Sequence, residues 1–200
     1  MSFREFLQTE FLPYGSLSPG QLDRLEKHYE LMMRWNERLN LTRISDLEEV
    51  VRFHYCESLF VGRVLPAGPL SIGDFGSGAG FPGFPLAVVR PDLRVTLIES
   101  DARKSVFLRE ASRGLQNVTV VQNRFEQYRG TFDWVVSRAV SPEDVFRSGL
   151  ATNFALLTSS EGIRLGAEVI RLPWGRDRVL RCSTWNVSRE TKKDNPKWPK

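Results

Sequence analysis

The sequence predicts an α/β fold: a doubly wound, mainly parallel sheet, preceded by an N-terminal helical cap and closed by a terminal antiparallel hairpin. Three observations carry this reading. From about residue 70, apolar β-branched runs alternate with helix-period segments, the pattern of βα units that feed a parallel sheet. The first run bends at Gly76, Gly78, Gly80 and Gly83. Glycine serves there because a strand turning sharply into a helix needs positive φ and bare backbone. Residues 1 to 67, by contrast, show helical periodicity without strand signals.

Within the cap, Phe3, Phe6, Leu7 and Phe11 mark a short first helix. Ser18-Pro-Gly-Gln21 is a capping box with proline in the first turn, which places a helix start at Ser18. Leu22, Leu25, Tyr29, Met32, Asn36 and Leu39 then recur at helical spacing. A third start at Asp46-Leu-Glu-Glu49 leads into Val50, Phe53, Glu57, Phe60 and Val64, and Ala67-Gly-Pro69 ends the cap. Strands are predicted at 71–75, 95–99, 118–122 and 134–137, with helices near 82–90 and 102–114. The stretch 167–182 reads as a hairpin turning near Trp174-Gly-Arg-Asp177. After Arg189 the chain is polar, lysine-bearing and interrupted by proline, a composition that cannot bury enough apolar surface to order itself. The expected division is therefore a cap over 1–67, a core over 68–188 and a disordered basic tail over 189–200.

Composition narrows the class. No run approaches the ~20 apolar residues of a membrane span, and Met1-Ser-Phe-Arg-Glu-Phe lacks a signal peptide's apolar centre. A cytoplasmic protein with no membrane partner is expected. Cys56 and Cys182 fit no metal-ligand spacing, and only two histidines are present, so no metal site is predicted. The net charge is +4, and 22 of the 28 basic residues are arginine. Arginine's planar fork suits phosphate and base edges, although a GC-rich genome would produce the same bias.

The glycine loop admits two ligands. Gly78-Ala-Gly80-Phe-Pro-Gly83 fits the spelling of a dinucleotide fingerprint. Asp74, two residues ahead of Gly76-Ser-Gly78-Ala-Gly80, instead resembles the first motif of the S-adenosylmethionine-dependent methyltransferases, and the ammonium of that methyl donor suits a nearby carboxylate. A pyrophosphate would want a free helix N-terminus. Glu99 ends the second strand, where a carboxylate can accept both hydroxyls of an adenosine ribose. Both ligands carry that ribose, so Glu99 supports a nucleoside without choosing.

Several separate motifs then resemble one family, the RsmG or glucose-inhibited division protein B methyltransferases, which modify guanine N7 of small-subunit (16S) ribosomal RNA. The cap carries Trp35-Asn36-Glu-Arg-Leu-Asn40-Leu41-Thr42 and His54-Tyr-Cys-Glu57-Ser58-Leu59. The core carries Gly76-Ser-Gly-Ala-Gly-Phe-Pro-Gly-Phe-Pro85, Ile98-Glu-Ser100, Asn123-Arg-Phe-Glu126 and Ser137-Arg138-Ala139. The match runs over roughly residues 20–140. It departs from the family at Glu57, where Asp is usual, and over Phe154 to Ser160, where a Lys-Gly pair is missing.

The resemblance implies a Rossmann-like methyltransferase sheet with S-adenosyl-L-methionine as cofactor and ribosomal RNA of the small subunit as partner. A monomer is expected. It implies cofactor contacts from Asp74, Gly76, Gly78, Gly80, Phe81, Glu99, Phe125, Glu126 and Arg138, with Arg124 on the RNA side. Arg138 is also the candidate catalytic residue, contacting guanine O6, a phosphate or the donor's carboxylate; the competing reading is an internal salt bridge. His54 and Glu57, three apart on one helix face, are read as a pair bridging cap and core, and Asn36 and Asn40 as caps. Two other readings keep the fold: a methyltransferase for a small molecule or protein, and a cofactor-binding homologue without RNA activity. A nicotinamide oxidoreductase lacks an accompanying acid–base pair.

Overall fold

The computed structural model describes residues 1–138, 140–159, 168–175 and 177–183. The tail expected over 189–200 and part of the hairpin turn lie outside these residues. Seven strands form one sheet: β1 Ser71–Phe75, β2 Arg94–Glu99, β3 Val118–Gln122, β4 Trp134–Ser137, β5 Asn153–Ser159, β6 Glu168–Arg171 and β7 Arg178–Cys182. Their order is β3-β2-β1-β4-β5-β7-β6. The first five run parallel, while β7 pairs antiparallel with both β5 and β6. The predicted terminal hairpin is therefore β6–β7, folded back so that its second strand enters the sheet beside β5. An all-parallel dinucleotide fold would continue 3-2-1-4-5-6, so the inserted antiparallel strand sets this sheet apart from it.

Burial follows position. All four residues of β4 are buried, as are Ile72 to Phe75 of β1, which is the continuous apolar signature of parallel strands covered on both faces. The order reverses between β1 and β4, the switch point at whose carboxyl ends open α/β sheets place their ligand crevice. Helices α5 Gly83–Val89, α6 Ala102–Ala111 and α7 Pro142–Ser148 connect the strands. Helix α5 starts one residue later than the sequence predicts, with Pro82 as its N-cap. Helix α7 was not foreseen, although Ser141 before Pro142 supplies its signal: the Ser141 side chain accepts from the Asp144 N–H and proline fills the first position.

The cap consists of α1 Phe3–Phe11, α2 Pro19–Leu39 and a third segment built from α3 Leu47–Val50, a π turn Val51–Cys56 and α4 Glu57–Val64. The capping box at Ser18 and Gln21 forms as read. The Asn36 side chain accepts from the Thr42 N–H at 2.8 Å, and Asn40 ends α2 in the left-handed region at φ 48°, so both asparagines serve the backbone. The third segment corrects the sequence reading. A π turn adds a residue to the helical repeat and rotates the face beyond it. His54, Tyr55, Ser58 and Leu59 become buried, whereas Phe53 and Phe60 of the predicted stripe are only half-buried.

Cap and core share one apolar cluster that includes Phe11, Leu25, Tyr55, Leu59, Ile72, Phe84 and Leu97. The β6–β7 turn reinforces it: Trp174 packs against Phe11, Tyr14 and Phe60 with ring centroids 5.0 to 6.4 Å apart.

Candidate functional site

The site grows from the turn after β1. Gly76, Gly78 and Gly80 have φ of 67°, 56° and 92°, a region L-residues enter at a cost. The turn is pinned to the neighbouring strand by the Gly76 and Ser77 N–H groups, which donate to the Ile98 carbonyl at 2.9 and 3.2 Å. It closes on itself where Gly80 and Phe81 N–H donate to the Ser77 carbonyl.

The glycines have different tasks. A Cβ on Gly83 would lie 2.5 Å from Leu97 Cδ2 and 2.6 Å from Asp74 Oδ2, so this position is closed by packing. At Gly80 it would meet Phe84 Cβ at 3.1 Å and His28 Nε2 at 3.2 Å. At Gly78 the nearest atom is the Gly76 carbonyl oxygen at 3.8 Å, ordinary contact. Gly78 is the glycine whose missing side chain leaves a cradle.

Glu99 stands beside that cradle at the end of β2 and is 7% exposed. Its Oε2 accepts from the Gly78 N–H at 2.9 Å and its Oε1 from the Asp101 N–H at 2.8 Å. Two backbone donors thus fix the carboxylate, and each oxygen keeps a further lone pair for a hydroxyl.

Asp74 takes a different place from the one expected. It is fully buried, and Oδ2 accepts from the Gly83 N–H at 3.0 Å, which ties the end of the loop to β1. Among the described residues Oδ1 has no hydrogen-bond partner. Burial pushes the Asp74 carboxyl up to about 7, against the opposing pull of the Gly83 N–H. The carboxyl supports the loop from beneath, a role read from burial that its sequence position does not reveal.

The third strand contributes a single turn, Phe125–Gln127. Phe125 is half-buried and stacked on Phe75 at 4.9 Å and 17°, while Glu126 and Arg124 are exposed. All three lie beyond the carboxyl end of β3, alongside Glu99: the Asn123 N–H donates to the Glu99 carbonyl at 3.1 Å.

Arg138 follows β4 on the same edge but is engaged with the cap. Its Nη1 donates to the Phe53 carbonyl at 2.8 Å and to His54 Nδ1. No carboxylate pairs with Arg138 among the described residues, so the internal salt bridge is not the arrangement found. Burial lowers its pKa to about 10, which leaves it charged at neutral pH.

His54 has its other nitrogen, Nε2, 2.7 Å from Thr42 Oγ1, and its ring stacks on Phe81 of the loop at 4.7 Å and 22°. Burial first, and the Arg138 charge second, bring its pKa down to about 3, so it is neutral. The expected His54–Glu57 pair does not form. Glu57, fully buried, instead receives a bidentate bond from Arg178 of β7, at 2.8 Å to Oε1 and 2.5 Å to Oε2. Each residue does bridge cap to core, but to a separate partner.

The crevice therefore gathers Gly76, Gly78, Phe81, Glu99, Phe125 and Arg138 around one sheet edge. Among the described residues no group of His, Cys, Asp and Glu could hold a metal ion, and no helix is long and apolar enough to cross a membrane.

Comparison with known proteins gives three kinds of likeness. Residues 21–156 match the family model described as rRNA small subunit methyltransferase G. A protein of Halorhodospira halophila named ribosomal RNA small subunit methyltransferase G is 45% identical over 164 residues, covering 78% of this chain and 77% of that protein. The protein of that name from Lactococcus lactis is 39% identical, and the match covers 62% of this chain and 57% of the relative's length. Among solved structures, an S-adenosylmethionine-dependent methyltransferase from Aquifex aeolicus aligns with a TM-score of 0.53 at 14% identity, covering 72% of this chain and 95% of that one. That last likeness is one of fold.

Proposed function

This chain belongs to the rRNA small subunit methyltransferase G family, and we propose that it transfers the methyl group of S-adenosyl-L-methionine to N7 of a guanine in small-subunit (16S) ribosomal RNA. The observation that carries this reading is the pairing of a bare cradle at Gly78 with the Glu99 carboxylate, locked in place by the Gly78 and Asp101 N–H groups. Such a pair fits an adenosine whose ribose hydroxyls bond the acid while the rest of the ligand passes over backbone. Phe125 and Glu126, at the end of β3, take the adenine edge. Gly76 and Phe81 line the loop on the methionine side, and Asp74 keeps the loop closed from below. When bound, the cofactor supplies a methyl group on a sulfonium already activated for in-line displacement.

The remaining work falls to this chain's side chains and is positional. Guanine N7 carries an in-plane lone pair in the neutral base, so no general base has to create the nucleophile. This agrees with the state of both histidines, buried and neutral with pKa values near 3. Holding the base in line is worth an effective molarity that can reach ~10⁵ M or more. Positive charge develops on the base as the methyl group arrives, which disfavours a guanidinium over N7. Arg138 is assigned to O6 or a phosphate, using N–H groups other than the Nη1 donors held by the cap. N7 faces the deep, narrow groove of A-form RNA, so the target base lies in a loop, a bulge or a partly assembled particle. Arg124, exposed beside the crevice, contributes to RNA binding. The cap over 1–67 and the core over 68–188 act as one monomer in the cytoplasm.

The test is methylation of purified small-subunit RNA with labelled cofactor, followed by mass mapping, together with calorimetric titration of S-adenosylmethionine against NAD. Label on guanine N7 and binding of S-adenosylmethionine alone are expected. Label elsewhere, or binding of NAD instead, refutes the assignment.

A further inference from the structure

His28 takes no part in the crevice, yet it is one of the most enclosed polar side chains in the protein. It lies in the middle of α2 at 2% exposure. Its ring stacks on Phe84 at 4.1 Å and meets the edges of Phe81 at 5.4 Å and Tyr55 at 5.8 Å. An imidazole in such apolar surroundings loses its hydration and must be compensated by hydrogen bonds. Both nitrogens are used: Nε2 is 3.0 Å from the Ala79 carbonyl oxygen and Nδ1 is 2.7 Å from the Tyr55 hydroxyl.

Chemistry fixes the direction of this relay. A carbonyl oxygen only accepts, so Nε2 carries the hydrogen; Nδ1 then presents its lone pair and the Tyr55 hydroxyl donates to it. Tyr55 sits in the π turn, next to the His54 that stacks on Phe81. The two cap segments thus converge on one carbonyl of the cofactor loop.

That carbonyl occupies a sensitive position. Ala79 lies between Gly78 and Gly80, both with positive φ. Glycine populates either sign of φ about equally, so rotation of the Ala79–Gly80 peptide meets little steric resistance from the chain itself. The loop's other anchors are N–H groups: Gly76 and Ser77 on Ile98, Gly78 on Glu99, Gly83 on Asp74, and Gly80, in the same peptide unit as the Ala79 carbonyl, on Ser77 at 2.7 Å. The Ala79 carbonyl is held from the cap.

We propose that His28, oriented by Tyr55, is a positioning residue that selects the cofactor-binding shape of the Gly76–Gly83 loop by holding the Ala79 carbonyl away from the cradle. The inference rests on S-adenosylmethionine as the ligand of that loop. Because the relay shapes the binding surface and touches no reacting atom, its loss raises the Kd and KM for the cofactor more than it lowers kcat.

The experiment compares wild type, His28→Phe, His28→Gln and Tyr55→Phe in calorimetric titration with S-adenosylmethionine, in methyl transfer to small-subunit RNA and in thermal melting. His28→Phe keeps the stacking and removes both hydrogen bonds; its cofactor Kd is expected to rise about five- to tenfold. His28→Gln, whose amide N–H can donate where Nε2–H did, recovers most of that loss. Tyr55→Phe frees the tautomer and weakens binding about two- to threefold. A folded His28→Phe protein with wild-type Kd overturns the proposal. So does a set in which phenylalanine and glutamine lose binding equally, in step with melting temperature. If His28→Phe does not fold, Tyr55→Phe decides, and an unchanged Kd there overturns the relay. Failure of wild type to bind S-adenosylmethionine would instead refute the function assigned to the loop.

Discussion

Replacing Gly78 by valine separates a ligand cradle from a plain turn. A Cβ at this position meets no protein atom nearer than 3.8 Å, so the protein itself has room for it. The backbone cost is that of placing an L-residue at φ 56°, ~1–2 kcal/mol. For a chain of this size each kcal/mol lowers the melting temperature by roughly 2–4 °C, so a fall of about 2–8 °C is expected and the fold survives. The cofactor has no such room. Forcing extra methyl groups into a filled site typically costs ~1–3 kcal/mol, about a five- to 150-fold loss of affinity. The contrasting variant is Gly83→Ala, whose Cβ would stand 2.5 Å from Leu97 Cδ2 and 2.9 Å from Asp74 Cβ; it should lose stability before it loses specificity. The assay is calorimetric titration with S-adenosylmethionine beside melting curves for both variants. A folded Gly78→Val protein that binds like wild type would refute the cradle and reduce the glycine loop to a turn.

Three further outcomes follow from the same geometry. Methyl transfer in single turnover should be nearly flat between about pH 6.5 and 9, because no titrating base is required; a steep rise there would indicate one. Asp74 has its pKa raised to about 7 by burial, so the native state holds this proton more tightly than the unfolded chain. Its contribution is fully present below the unfolded pKa near 3.8 and is lost as pH rises through about 7. Asp74→Asn should therefore gain stability relative to wild type as pH rises from about 4 to 7 and hold that gain above it, and a pH-independent difference in melting temperature across this range would contradict this. Arg178→Ala leaves the buried Glu57 carboxylate without its bidentate partner, a loss of ~3–5 kcal/mol readable in denaturant unfolding. A change below ~1 kcal/mol would mean that Glu57 is served otherwise.

How much was legible depends on the distance over which each interaction acts. The sequence determined what lies within a few residues: the capping box at Ser18, the strand-to-turn break at Gly76, the antiparallel return near Trp174 and the acid closing β2. These follow from backbone sterics, caps and residue periodicity, and motif order was enough to suggest the family. The tertiary structure decided what each side chain faces. Asp74 reads in sequence as a ligand carboxylate, but its burial beneath the loop turns it toward the Gly83 N–H. His54 and Glu57 read as a local pair, yet the π turn within Val51–Cys56 rotates the helix and gives them partners 84 and 121 residues away. His28 reads as an unremarkable position of α2 and becomes the donor to Ala79, 51 residues on. Local propensity fixes where a helix starts and stops. Which of its side chains meets a distant loop depends on the rotation and docking of whole elements, and these are set only when the shared core forms.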